Sequence, residues 1–162
     1  MKRRILAIVT LGVIALAVPA AVLADTFYEP SPAFSNGMTI HVSGASVQAK
    51  GILVNIAVTI TCDPLVGVSE GDGPGLSGWV KEAVTKKSIA FGSRVAYGAT
   101  VVCDGTPHPF TVQVSADQTG VPFAKGAAVV AAASQICVRD PDTYALTCRS
   151  AATGWLVVKL TR

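Results

Sequence analysis

Between Ile52 and Cys62 the sequence alternates without a break. Ile52, Val54, Ile56, Val58, Ile60 and Cys62 fall on one side of an extended chain, and Leu53, Asn55, Ala57, Thr59 and Thr61 fall on the other. Successive strand side chains point to opposite faces, so the run lays its branched residues against one core. Wound as a helix, it would scatter them around the whole circumference. Shorter runs of the same kind recur at Met38–Val47, Trp79–Ile89, Val95–Cys103, Phe110–Ala116, Ala127–Cys137 and Ala145–Leu160. Between them lie Asp63-Pro64, the glycine-rich Gly67–Gly78 stretch, Asp104-Gly-Thr-Pro107, Asp117-Gln-Thr-Gly120 and Asp140-Pro141, all with turn chemistry. Gly126–Ser134 is alanine-rich and favours helix by propensity alone, but its place between two strand patterns assigns it to a strand. About seven antiparallel strands spaced roughly ten residues apart imply an all-β, immunoglobulin-like Greek-key sandwich, with a small barrel as the alternative.

The N-terminus carries the other strong signal. Lys2, Arg3 and Arg4 precede an uncharged apolar run from Ile5 to Val18, which ends in Pro19-Ala-Ala-Val-Leu-Ala24. That is the pattern of a cleaved secretory signal over residues 1–24, with Val22 and Ala24 small enough for the peptidase. The run is shorter than the roughly 20 residues a spanning helix needs. Residues 25–37, polar and holding Pro30 and Pro32, read as a flexible arm, and 38–162 as a single domain. The chain is therefore expected to be exported, at or beyond the cell envelope. Without its signal it keeps ten basic residues against ten acidic ones. Such a balance provides no long-range field toward nucleic acid or an anionic membrane.

Cys62, Cys103, Cys137 and Cys148 are an even set in an exported chain, which implies two disulfides. In a Greek-key sandwich the second and fifth strands are antiparallel neighbours. The end of Ile52–Cys62 then lies near the start of the strand at Phe110, just after Cys103. The last two long strands form a hairpin that sets Cys137 opposite Cys148. Cys62–Cys103 and Cys137–Cys148 are the favoured pairs; the immunoglobulin pattern proper would instead bridge Cys62 to Cys137, with Trp79 on the intervening strand. The spacings hold no C-x₂₋₄-C clamp for a metal and no C-x-x-C redox pair.

Residues that could carry catalysis are sparse. Gly67-Val-Ser69-Glu-Gly71 matches the G-x-S-x-G elbow, but loop rather than helix follows it. His41 sits on the polar face of the first strand, and His108 lies between Pro107 and Pro109 in an expected turn. Glu70 with Asp72, or Asp140 with Asp142, are oxygen ligands in loops without the spacing of a calcium loop. No catalytic, cofactor or metal site is assigned. Two candidate contact regions remain. One is the Cys137–Cys148 loop, where Arg139, Asp140, Asp142 and Tyr144 sit on a segment whose entropy a disulfide has already reduced. The other is Trp79 with Lys81, near Lys86 and Lys87, as a carbohydrate or anion contact beside Glu82.

The signal, the strand ending at Cys62, the Cys103-Asp-Gly-Thr-Pro turn feeding Phe110–Val114, the Phe123-x-x-Gly126-x-Ala128 approach and the final cysteine pair together resemble small secreted proteins of unknown function from high-GC Gram-positive bacteria. The resemblance spans roughly Ile52 to Leu160 and implies an immunoglobulin-like exported domain with no activity attached. The likeness to neocarzinostatin-type apoproteins, secreted two-disulfide sandwiches that cradle a small molecule, is architectural only. The leading expectation is a non-enzymatic module binding an extracellular protein or glycan. The alternatives are a small-ligand carrier, its crevice formed by the glycine-rich Gly67–Gly78 loop and the small side chains of Ala127–Ala133, and a protease inhibitor using the Cys137–Cys148 loop.

Overall fold

The computed structural model describes residues 30–69, 75–86, 88–96, 101–117 and 120–162. Residues 1–24, read as a signal, lie outside the described residues, as do 25–29 of the arm. Among the described residues there are ten strands: β1 (Phe34–Asn36), β2 (Met38–Gln48), β3 (Leu53–Cys62), β4 (Val68–Ser69), β5 (Leu76–Thr85), β6 (Ser88–Ala96), β7 (Pro107–Ser115), β8 (Gly126–Arg139), β9 (Leu146–Ala152) and β10 (Leu156–Thr161). The fold is all-β and sandwich-like. One path through the sheet runs β1-β9-β8-β10-β2-β3-β7; β5 lies along the other edge of β8, with β6 beyond it, and β4 pairs with the end of β8.

The long strand β8 organises the molecule. Its first half pairs with β10, from Gly126↔Leu160 to Val130↔Leu156, and its second half with β9, from Ala133↔Ala152 to Arg139↔Leu146. On its opposite edge β5 pairs from Lys81↔Val129 to Leu76↔Ser134. The sheet curls so that β5 faces β3 and β7 across the interior. An added Cβ at Gly78 of β5 would come within 2.7 Å of Val112 Cγ1, so the layers meet there only because glycine has no side chain. Val54, Ile56, Val58 and Ile60 of β3 are fully buried in this core with Val112, Val114, Val80 and Val130. Each such side chain contributes roughly 1.5–3 kcal/mol relative to exposure.

Several expectations need correction. Trp79–Ile89 is not one strand but parts of the β5–β6 hairpin, whose turn follows Thr85 without any glycine, proline or asparagine to mark it. Of the Val95–Cys103 run, Val95 and Ala96 close β6, residues 97–100 lie outside the described residues, and Val101–Cys103 is irregular and packs by Val101 into the core. Ala145–Leu160 is two strands, because Ala152 pairs with Ala133 and Leu156 with Val130, leaving three residues opposite two. That one-residue bulge is patched by Thr153: its Oγ1 accepts the Ala132 N–H at 3.0 Å and its own N–H donates to Ala132 O at 2.9 Å. The sheet is also not wholly antiparallel, since β10 runs parallel to β2 at Leu160↔Ala45. Ile52 is not on the inner face but outside the strand, after the turn Ala49–Gly51, and 60% exposed. His108 is in β7 opposite Ile60 rather than in a turn. Within the stretch read as an arm, Phe34–Asn36 pairs with β9.

Candidate recognition site

β8 and β9 form a hairpin in which Cys137 and Cys148 are direct cross-strand partners, bonded with their Cα atoms 4.1 Å apart. Asp140 builds the tip. Its Oδ1 accepts the N–H of Asp142 at 2.9 Å and of Thr143 at 2.7 Å, the arrangement that lets aspartate mimic a backbone turn. The Asp140 N–H donates to Ala145 O and the Tyr144 N–H to Asp140 O, both at 2.9 Å. Arg139 Nη1 donates to Tyr144 O at 3.0 Å and closes the ring from outside. Donation from Thr143 first, then Asp142, holds the Asp140 carboxyl below its ordinary range.

Tyr144 is the exception in this turn. It has φ +60, a left-handed conformation that costs a bulky residue energy, and its side chain is 70% exposed. Leu146, one position past the tip on β9, is also exposed. The four residues expected on this loop are thus brought together: Asp140 and Arg139 as its frame, Asp142 and Tyr144 on its surface. The second expected contact region is arranged differently. Trp79 is 3% exposed, opposite Ala131, and its remaining surface lines a cleft on the outer face of β5 and β8. Lys81 stands instead over the Trp155 ring, its Nζ 5.8 Å from the centroid. Glu82 is not a solvated partner of the lysines: it is 3% exposed, and its Oε2 accepts the Ala124 N–H at 2.8 Å. Lys86 sits at the hairpin turn away from Trp79, and Lys87 lies outside the described residues.

The other disulfide, Cys62–Cys103, lies at the same pole, since β3 ends and β7 begins there. It departs from the immunoglobulin pairing of Cys62 with Cys137. Beside it is a second aspartate-built turn, whose Asp104-Gly-Thr-Pro107 sequence signals a connection and nothing more. Asp104 Oδ1 accepts Thr106 Oγ1 at 2.7 Å, Thr106 N at 2.8 Å and His108 Nε2 at 3.0 Å. These bonds, the Thr106 hydroxyl's foremost, hold the Asp104 carboxyl well below the usual carboxylate range. Because Thr106 donates to the carboxylate, it is not activated by His108. The set orders a turn. Ser69, of the G-x-S-x-G match, lies in β4 paired with Val138, while Glu70, Gly71 and Asp72 lie outside the described residues.

A cleft of about 260 Å³ lies on the outer face of β5, β8 and β9 under Ser31 and Phe34. Of the alanines expected to line a crevice, Ala133 lines it, whereas Ala128 and Ala132 are in the core. Among the described residues no helix is long and apolar enough to cross a membrane, and all four cysteines are bonded, as in proteins of oxidising compartments. No family model, curated protein or solved structure matches the chain.

Proposed function

We propose that the chain is an exported, non-catalytic recognition module that binds a protein or glycan of its extracellular surroundings through the Arg139–Leu146 hairpin tip. One observation carries this: a tyrosine held outward in a strained backbone conformation by a turn whose hydrogen bonds all serve to fix it. Left-handed non-glycine residues persist only where the surroundings over-determine them, and they gather at functional sites. A tyrosine so placed supplies a large amphipathic contact with little entropy left to lose. The adjacency of β3 and β7, strands separated by the β5–β6 hairpin, supports reading the topology as an immunoglobulin-like Greek key.

The test is affinity capture from envelope and culture extracts by the exported protein and by Tyr144→Asn, which tolerates the backbone but removes the ring. A component retained by the first and weakened at least about 30-fold in the second is the expected result, the size of a binding hot spot. Equal retention by both overturns the assignment. Inhibition of a secreted serine protease by the intact loop would redirect it to the inhibitor reading.

A further inference from the structure

The charges that nearly cancel along the chain are separated in space. Asp63, Asp104, Asp140 and Asp142 lie at the pole where β3 and β8 end, beside Arg139 and Arg149. Lys50, Lys86, Lys125 and Lys159 lie at the opposite pole, where β8 begins, and all four are exposed. The acids described at that end are Glu82, buried against Ala124, and the half-buried Asp117.

Backbone hydrogen bonds hold the lysine pole as one surface. Phe123 N donates to Gly51 O at 2.9 Å, joining the Lys50 turn to the segment that carries Lys125; Ala116 N donates to Ile52 O at 2.8 Å, and Asp117 N to Phe91 O at 2.9 Å. Lys50 is presented by a strained turn, with Ala49 at φ +46 and Lys50 at φ +58. Apart from Tyr144 these are the only non-glycine residues described with positive φ. Ile52, two residues after Lys50, and Ile89, three after Lys86, are each 60% exposed at the same end.

We propose that this pole docks on an anionic lipid bilayer, the lysines against lipid phosphates and Ile52 and Ile89 entering the headgroup region. Lysines alone would suit any polyanion; protruding aliphatic side chains among them favour one with an apolar layer beneath its charges, which is what an anionic lipid interface offers. The hairpin tip then faces away from the membrane, although the docking does not depend on Tyr144 binding anything.

The test is flotation of the exported protein with phosphatidylcholine vesicles containing about 30% phosphatidylglycerol, against pure phosphatidylcholine. Binding is expected only to the anionic vesicles, weakening with salt, and falling about five-fold for each of Lys86→Gln, Lys125→Gln, Lys159→Gln and Lys50→Asn. Ile52→Ser with Ile89→Ser should weaken it without changing charge. Arg94→Gln, on β6 between the poles, should retain most of the binding. No binding, equal binding to both vesicles, equal loss with Arg94→Gln, or retention of a soluble polyphosphate with no vesicle binding would each overturn the proposal.

Discussion

At one pole Cys62 is tied to Cys103 across a sequence separation of 41 residues, and the Cys137–Cys148 bridge closes the neighbouring hairpin. At the other, Glu82 reaches Ala124 across 42 residues with a hydrogen bond, and Gly51 and Ile52 hold the 116–123 segment through their carbonyls. The two poles thus solve one problem, fixing a long connection onto the sheet, with different chemistry. The difference follows from what each connection buries. The segment at the lysine pole sinks Phe123 to 3% exposure in the core, and that burial anchors it. At the stapled pole Val66, Val102, Tyr144 and Leu146 remain exposed, so burial alone supplies less and a covalent tie supplies the rest.

The largest expected effect is at the longer bridge. Replacing Cys62 and Cys103 together by alanine should cost about 4 kcal/mol on the chain-entropy model, read from chemical denaturation with the other bridge intact. The Cys137→Ala, Cys148→Ala pair has a ceiling of about 3 kcal/mol on the same model. Its measured cost should fall below that, because the strands around it pair in any case from Ala133 to Arg139. Should it equal or exceed the first, the two bridges are not doing different jobs. At the lysine pole Glu82→Ala should cost about 2 kcal/mol by leaving the Ala124 N–H unsatisfied, and Glu82→Gln, which keeps an acceptor, should cost less. Hydrogen exchange at Ala124 checks the mechanism: its protection should drop in Glu82→Ala and persist in the Cys62, Cys103 double variant.

Acid gives the smallest effect. The folded-state carboxyls of Asp104 and Asp140 titrate below their ordinary values because the turns donate to them. Their contribution is complete above the unfolded aspartate range and fades as pH falls through it toward the folded values. Both groups are exposed, so the thermal midpoint should decline only slightly on acidification, with Asp104→Asn plus Asp140→Asn flattening that decline. Loss of amide protection in acid at Ala124 before Thr106 would reverse the contrast between the poles.

Where a local signal and a tertiary one coincide, the fold was readable. In β3 the inward residues are the branched ones, and both cysteine pairs follow from strand adjacency. The β5–β6 turn escaped because both faces of β5 are buried from Leu76 to Val80, which erases the period of two, and because no turn residue marks Lys86. The break between β9 and β10 escaped because one extra residue at Thr153–Trp155 leaves the apolar pattern almost undisturbed. At the site, the aspartate, proline and disulfide of the hairpin were legible, but the left-handed backbone of Tyr144 was not, since asparagine or glycine is what such a turn advertises. The burial of Trp79 and Glu82 depends on neighbours far away in sequence.

The seam between β6 and β7 completes the sheet's curl. A Cβ at Gly92 would fall 2.2 Å from Ser115 O, so the two strands draw together only at a bare backbone, and Asp117 N crosses to Phe91 O. β7 also opens with Pro107 and Pro109, which have no N–H to offer. A fibril grows when a strand finds a row of waiting partners on its neighbour. Here that row is interrupted by imino acids at one end and crowded by the facing strand at the other, which works against edge-to-edge pairing along the seam.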